Sequence, residues 1–334
     1  MAFVQPNFFA FKIAHRTSPP RNRAWFGRVR VNREEGRRWD LELVSPCKIN
    51  LFLRIIRKRE DGYHELASMF QAISLHDDLL FDVLPDDAEG DQLECEDPNV
   101  PLDRNNLVLK AIDVFRKRTG RTEKFRVKLN KRVPVQAGLG GGSANAATAL
   151  WGVNQLCGKI ATNEELADYG AEIGSDISFF FSLGTAYCTG RGEKLENVSE
   201  LMPTSLYIIK PKEGLSTGEV FKNLDIASIE DRDPLKLKEK LEQESIYTAE
   251  FVNDLEVPSF KLCPKLADIK QASEEAGFKV VLMSGSGTSF FCLGEPHRDF
   301  VEIFEERMKE LFNVDIYQTR FLNRKDADHW YLQS

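Results

Sequence analysis

The 334-residue sequence predicts an α+β protein built on two sheets. Three observations point there. Strand patterns and helix patterns are mixed through both halves of the chain. A glycine-rich stretch, Gly138 to Gly142, sits between an alternating segment and a helical one. Pro203 separates two such runs of elements, so domains are expected over 41–203 and 204–334.

The elements follow in order from periodicity. Ile49, Leu51, Leu53 and Ile55 alternate within 41–56, which reads as a strand around Pro46. Leu79–Leu84 is a second strand, and the acidic stretch 85–99 is a loop. Leu107, Ala111, Val114 and Phe115 share one face of a helix over 107–117. Phe125, Val127 and Leu129 alternate with Arg126, Lys128 and Asn130 in the strand before the glycines. Ala146, Ala147, Leu150, Val153 and Leu156 continue as a helix after them. A short helix spans 164–173, Gly174-Ser175-Asp176 breaks it, and an apolar run 177–181 leads to a strand over 184–189. Beyond Pro203, strands are predicted at 206–209, 280–283, 290–293 and 314–319, with a helix at 301–311. The charged stretch 225–250 reads as an exposed connecting helix.

Residues 1–40 stand apart. They hold nine Lys/Arg and three acids (Glu34, Glu35, Asp40), a net +6 that leaves −13 on the remainder of a chain of net −7. An arginine-rich, acid-poor start predicts an organelle leader, although Ser18 is its single serine. A basic arm that stays attached is the alternative. No apolar run approaches the ~18–20 residues that cross a bilayer, so no membrane partner is expected. The acidic balance argues against a nucleic-acid scaffold. Six scattered cysteines, with no Cys-x-x-Cys and no zinc spacing, predict reduced and mostly buried thiols.

The glycine segment carries the chemistry. Pro134-Val135-Gln136-Ala137-Gly138-Leu139-Gly140-Gly141-Gly142-Ser143-Ala144 joins a strand to a helix start. Glycines allow positive φ and close approach of the backbone. The helix start offers unpaired N–H donors and a partial positive charge, which suits phosphate. No lysine follows Gly142, so this is not a P-loop, and it is not a dinucleotide fingerprint.

Gly138-Leu139-Gly140-Gly141-Gly142-Ser143-Ala144 resembles the central motif of the GHMP kinases. Pro46-Cys47-Lys48-Ile49-Asn50 and Ser284-Gly285-Ser286-Gly287 stand where that superfamily has its first and third motifs. The segments Asp61-Gly62-Tyr63-His64-Glu65, Ile173-Gly174-Ser175-Asp176 and Thr189-Gly190-Arg191-Gly192-Glu193 narrow the resemblance. So does Val252-Asn253-Asp254-Leu255-Glu256, which is similar to the plant type. The branch they resemble phosphorylates the 2-hydroxyl of 4-diphosphocytidyl-2-C-methyl-D-erythritol in the non-mevalonate isoprenoid route. The resemblance implies an N-terminal ATP domain and a C-terminal ferredoxin-like domain, with ATP and Mg²⁺ as cofactors and a small cytidine-diphosphate-linked substrate. With the basic leader it implies a plastid location. No obligate protein partner is evident.

It also implies roles. Asp176 is the expected base and Lys48 its partner; the alternatives are a helix cap and a water-facing edge lysine. Asn50 shares the face of Lys48 and is expected at the substrate, unless it closes a local backbone bond. Residues 134–144 are expected around ATP, with Asn145 capping the helix. Ser143 or Asp176 is the candidate Mg²⁺ contact, and Ala144 replaces a second hydroxyl usual in the family. Tyr63 and His64 are expected to read cytosine, with Thr217 and Phe221 as the opposite wall. Plain packing roles are the alternative for Tyr63, His64 and Phe221. Ser284, Gly285, Ser286 and Gly287 are expected to close over the phosphates, or else to be a simple hairpin turn. Arg191 is assigned a structural role, and His15, His76, His297 and His329 none. A homoserine or phosphomevalonate kinase is the rival enzyme; a nucleotide binder without catalysis is the non-enzyme rival.

Overall fold

The computed structural model describes residues 38–299 and 301–331. The leader expected over 1–40 lies almost wholly outside the described residues.

Strands β1 (Leu41–Lys58) and β2 (His64–Val83) form one long antiparallel pair, with register shifts at Pro46/Cys47, Asn50/Phe52 and Ile55/Arg57. Then come β3 (Gln92–Glu94), α1 (Leu107–Thr119), β4 (Phe125–Asn130), α2 (Gly141–Leu156) and α3 (Asn163–Ala171). A 3-10 turn (Ser178–Phe181), β5 (Thr185–Gly190) and β6 (Lys194–Asn197) complete the first half. β2 is the centre of this sheet. Its residues 78–83 pair with β4 and 66–71 with β5, while β1 runs along its opposite edge. Local chemistry sets the helix ends: Asn106 caps α1, Gly120 ends it at φ 70°, and Thr162 with Glu165 forms a capping box on α3.

The second sheet contains β7 (Ser205–Pro211), β8 (Val280–Met283), β9 (Phe290–Leu293) and β10 (Val314–Arg320). Between them lie α4 (Thr217–Lys222), α5 (Pro234–Gln243), α6 (Glu256–Leu262), α7 (Lys265–Glu275) and α8 (Phe304–Phe312). The order β10-β7-β9-β8, antiparallel throughout, is the ferredoxin-like arrangement.

Three apolar cores follow from alternation along the strands. Leu79, Phe81, Val127 and Leu129 pack under α1 and α2. Ile49, Leu51 and Met69 meet Ile208, Leu282 and Phe291 between the two sheets. Ile209, Leu266, Ile269, Phe290 and Phe304 fill the far side. The layers therefore run helices, sheet, sheet, helices. The C-terminal tail returns to the first half, where Trp330 Nε1 donates to the Val44 carbonyl at 2.8 Å and Arg324 Nη1 to that of Phe181 at 2.9 Å.

Four stretches differ from the reading of the sequence. The stretch 85–99, expected as a loop, contains the short strand Gln92–Glu94, which pairs in parallel with β4. Residues 64–78 are strand; most of them are buried on both faces, so the apolar/polar alternation that signals a half-exposed strand is missing. The stretch 225–250 is not one helix: only Pro234–Gln243 is α-helical, started by Asp233 as cap and Pro234 in the first turn. Helices α6 and α7, broken at Cys263-Pro264, were not foreseen. All six cysteines are free, four of them buried.

Candidate active site

The bend before α2 is built from left-handed residues. Gln136 (φ 51°), Gly138 (φ 74°) and Gly140 (φ 67°) turn the chain so that the helix begins at Gly141. No side chain caps α2, and Gly141, Gly142 and Ser143 at its start border open space. That space is a cleft of about 340 Å³, lined by residues 134–143 on one side and Val100, Pro101, Asn105 and Leu107 on the other. Two of the expected roles fail here. Asn145 does not cap the helix; it is buried inside it and donates to Ser45 Oγ and Asp77 Oδ2, each at 2.9 Å. Ala144 does not face the cleft; its methyl lies in the first core and its N–H is spent on Gly140 O at 2.9 Å.

Sequence reading missed the support of this bend. Asp77 is fully buried. It accepts from Lys131 Nζ (2.6 Å), Arg132 N (2.7 Å), Val133 N (2.8 Å) and Asn145 Nδ2 (2.9 Å). One carboxylate thus joins the entry to the bend, the helix after it and a lysine lining the cleft. Once β2 is seen to run through the core, a buried aspartate on it must have partners, but the sequence alone does not mark 64–78 as strand.

Lys48 lies on the buried stretch of β1 and is 4% exposed, which excludes the edge-lysine alternative. Its Nζ stands 3.4 Å from Asp176 Oδ2 and donates to Asn50 Oδ1 at 2.7 Å. It also sits 4.6 Å above the Phe70 ring. Asp176 does not cap a helix: Ile177 precedes the 3-10 turn, and no side chain caps it. The Asp176 side chain remains one-third exposed, so it is both paired and reachable. Asn50 does not close a local backbone bond; its amide donates to Ser68 Oγ at 2.9 Å. The backbone N–H of Lys48 donates to Leu139 O at 2.9 Å, tying the pair to the glycine bend. Gly140 leaves room for the lysine stem; a Cβ there would stand 3.1 Å from Lys48 Cε.

The segment Ser284–Gly287 is more than a hairpin turn. Ser284 Oγ donates to Gly138 O at 3.0 Å and accepts from Asn50 N at 3.3 Å. Gly138 and Gly287 touch so closely that a Cβ on either would collide with the other loop's backbone. Thr217 Oγ1 and Ser286 Oγ are 2.8 Å apart. First strand, glycine bend, closing loop and α4 therefore meet in one place.

The aromatic residues lie beyond. Tyr63 is 58% exposed and the Arg191 guanidinium stands 5.1 Å over its ring. His64 and Phe221 stack on each other, centroids 5.0 Å apart and planes 23° apart. A base held between those two rings would need them further apart, so they must part to take one. Burial and the charge of Lys58 hold the His64 imidazole below its usual value, which favours the neutral ring.

Among the described residues, no group of three or more His, Cys, Asp or Glu could hold a metal by itself. The side chains on offer, one carboxylate at Asp176 and one hydroxyl at Ser143, fit Mg²⁺ that arrives on nucleotide phosphates.

A glycine bend opening a helix beside a buried lysine and its partly exposed carboxylate partner, on this two-sheet fold, fits a small-molecule kinase. The GHMP kinases N-terminal domain matches residues 106–184, and the GHMP kinases C-terminal domain matches 226–313. The 4-diphosphocytidyl-2-C-methyl-D-erythritol kinase of Mentha piperita, a chloroplastic protein, is 46% identical over 87% of this chain and 72% of its own length. That of Protochlamydia amoebophila is 49% identical over 77% of this chain and 85% of its own. A crystal structure of 4-(cytidine 5'-diphospho)-2C-methyl-D-erythritol kinase superposes with TM-score 0.69 at 30% identity, covering 84% of this chain and 99% of that one. The chain belongs to the GHMP kinases, and within them to the 4-diphosphocytidyl-2-C-methyl-D-erythritol kinase family.

Proposed function

We propose that this chain transfers the terminal phosphoryl group of ATP to the 2-hydroxyl of 4-diphosphocytidyl-2-C-methyl-D-erythritol, in the plastid. The observation that carries the chemistry is the Lys48–Asp176 pair, 3.4 Å apart and tied to the glycine bend through Leu139. The nucleotide lies in the cleft over residues 134–143, its phosphates on the amides at the start of α2, with Lys131 as a second cation. Phosphoryl transfer asks mainly for positioning and charge stabilisation. A tertiary alcohol is a poor nucleophile; Asp176 accepts its proton as the new P–O bond forms and the bond from the terminal phosphorus to the bridging oxygen breaks, releasing ADP. Lys48 offsets the charge that builds on the transferring group, and Asn50 holds Lys48 in place. Mg²⁺, bound to the phosphates with Asp176 or Ser143, supplies further charge neutralisation when present.

Tyr63, His64, Thr217 and Phe221 form the cytosine end, and Ser284–Gly287 closes the phosphate end. An aromatic group of this kind favours the cytidyl substrate over homoserine or phosphomevalonate, which carry no base. The boundary at 203 separates the nucleotide half from the ferredoxin-like half, and the substrate lies between them. The test is incubation of the purified chain with Mg-ATP and each candidate, followed by phosphorus NMR of the products. A 2-phosphate on the cytidyl compound is expected. Turnover of homoserine alone would reject the reading.

A further inference from the structure

The segment Val252–Glu256 takes no part in the chemistry above, yet three of its side chains grip the active site from behind. Asn253 is buried, and its Nδ2 donates to Met283 O at 2.7 Å and Gly285 O at 2.8 Å. These are the carbonyls on either side of Ser284. Its Oδ1 accepts from Leu255 N at 2.9 Å, so the whole amide is committed. Glu256 Oε1 accepts from Met283 N at 2.9 Å, and Lys270 holds its other oxygen at 2.7 Å. Asp254 Oδ2 accepts from Ile55 N at 2.7 Å and faces Arg54 Nε at 3.1 Å. The backbone joins in: Leu53 N donates to Val252 O at 2.8 Å and Asp254 N to Leu53 O at 2.9 Å.

We infer that Asn253 is a positioning residue that sets the closing loop against the phosphate bend and the reactive strand. Asn253 fixes both neighbours of Ser284. Ser284 bridges Gly138 O and Asn50 N. Asp254 and Glu256 hold β1 and the start of the same loop, so one segment keeps both parts in register. The loop contributes a left-handed residue, Gly285 at φ 61°, packed 3.2 Å (as a Cβ would stand) from Asn50 Oδ1. The inference rests on the kinase reading for its kinetic signature, though not for its geometry.

The experiment uses the full chain with Asn253→Asp and Asn253→Ser. Asn253→Asp keeps the size and the Leu255 acceptor but sets carboxylate oxygen against two carbonyls; Asn253→Ser removes both donors. Leu266→Ala, a cavity in the third core of the same half, serves as the destabilised control. Each Asn253 variant is expected to raise the KM for ATP and lower kcat, with kcat/KM for ATP falling on the order of 10-fold or more per folded molecule. The KM of the cytidyl substrate is expected to stay within about twofold, and Leu266→Ala to lower Tm alone. Constants equal to wild type, or shifted as in Leu266→Ala, would overturn the inference. Hydrogen exchange on the unmodified chain tests it without variants: the Ser284 and Gly287 amides should exchange as slowly as those of β8, and exchange at the rate of an open loop would overturn it. Because exchange needs no turnover, failure of the substrate assignment would be told apart from failure here.

Discussion

Lys48 and Asp176 meet at 3.4 Å although one lies inside a buried strand and the other on a turn after a broken helix. Nothing along the chain requires that meeting; the fold makes it. A buried cation thus stands beside a reachable carboxylate, at the edge of the glycine bend.

Asn at position 176 keeps the size of the side chain and removes the base. Asp176→Asn is expected to lower kcat by roughly 10²–10⁴ while ATP still binds. Calorimetric titration with ATP beside steady-state kinetics checks both halves. Undiminished turnover would remove Asp176 from its role.

Tyr63 is solvent-exposed, and the ring face it is proposed to offer the base would act equally in ground and transition states. Tyr63→Ala is therefore expected to raise the KM of the cytidyl substrate, by the ~1–3 kcal/mol that base stacking is worth, with a smaller effect on kcat. A collapse of kcat at constant KM would contradict this.

Gly138 has φ 74° and backbone of the closing loop directly against its Cα. Gly138→Ala meets both a disfavoured conformation and a collision. A loss of at least ~1–3 kcal/mol in urea unfolding is expected, together with weaker nucleotide binding. A variant as stable as wild type, with normal ATP affinity, would mean the two loops are not held together.

His76 sits at the register shift of β1 and β2, with Asp78 3.5 Å from its Nε2 and the Ser74 carbonyl 2.6 Å from its Nδ1. The Asp78 bond raises its pKa in the folded state above the ordinary 6.5, outweighing partial burial. The folded chain therefore holds the proton more tightly than the unfolded one. The stabilisation is complete below about pH 6.5 and is lost as pH rises through the higher folded value. Unfolding of wild type minus His76→Gln, measured from about pH 5 to 9, should show a difference that shrinks with rising pH. A difference that grows with pH would contradict the sign.

Much of the active site was legible because its local chemistry is unusual. A glycine bend between a strand and a helix, and a lysine on an apolar strand, each announce themselves along the chain. Phe125–Asn130 has the bounds its alternation predicts. What stayed hidden is tertiary. Asp77 gathers four donors from Lys131, Arg132, Val133 and Asn145, and no spacing in the sequence encodes that set. Ser284 was placed in a closing loop, but its bridge between Gly138 and Asn50 exists only once two sheets face each other. The first part of β2 was missed because burial on both faces erases alternation. Asn145 was misread for a related reason: asparagine favours helix caps when exposed, whereas here a buried carboxylate claims its amide.

The most direct test is a crystal structure of the chain with a non-hydrolysable ATP analogue and the cytidyl substrate. The account predicts the triphosphate on the amides of 138–143 and the 2-hydroxyl within hydrogen-bonding distance of Asp176, with Lys48 still beside it. A triphosphate bound elsewhere, or a 2-hydroxyl out of reach of Asp176, would contradict it.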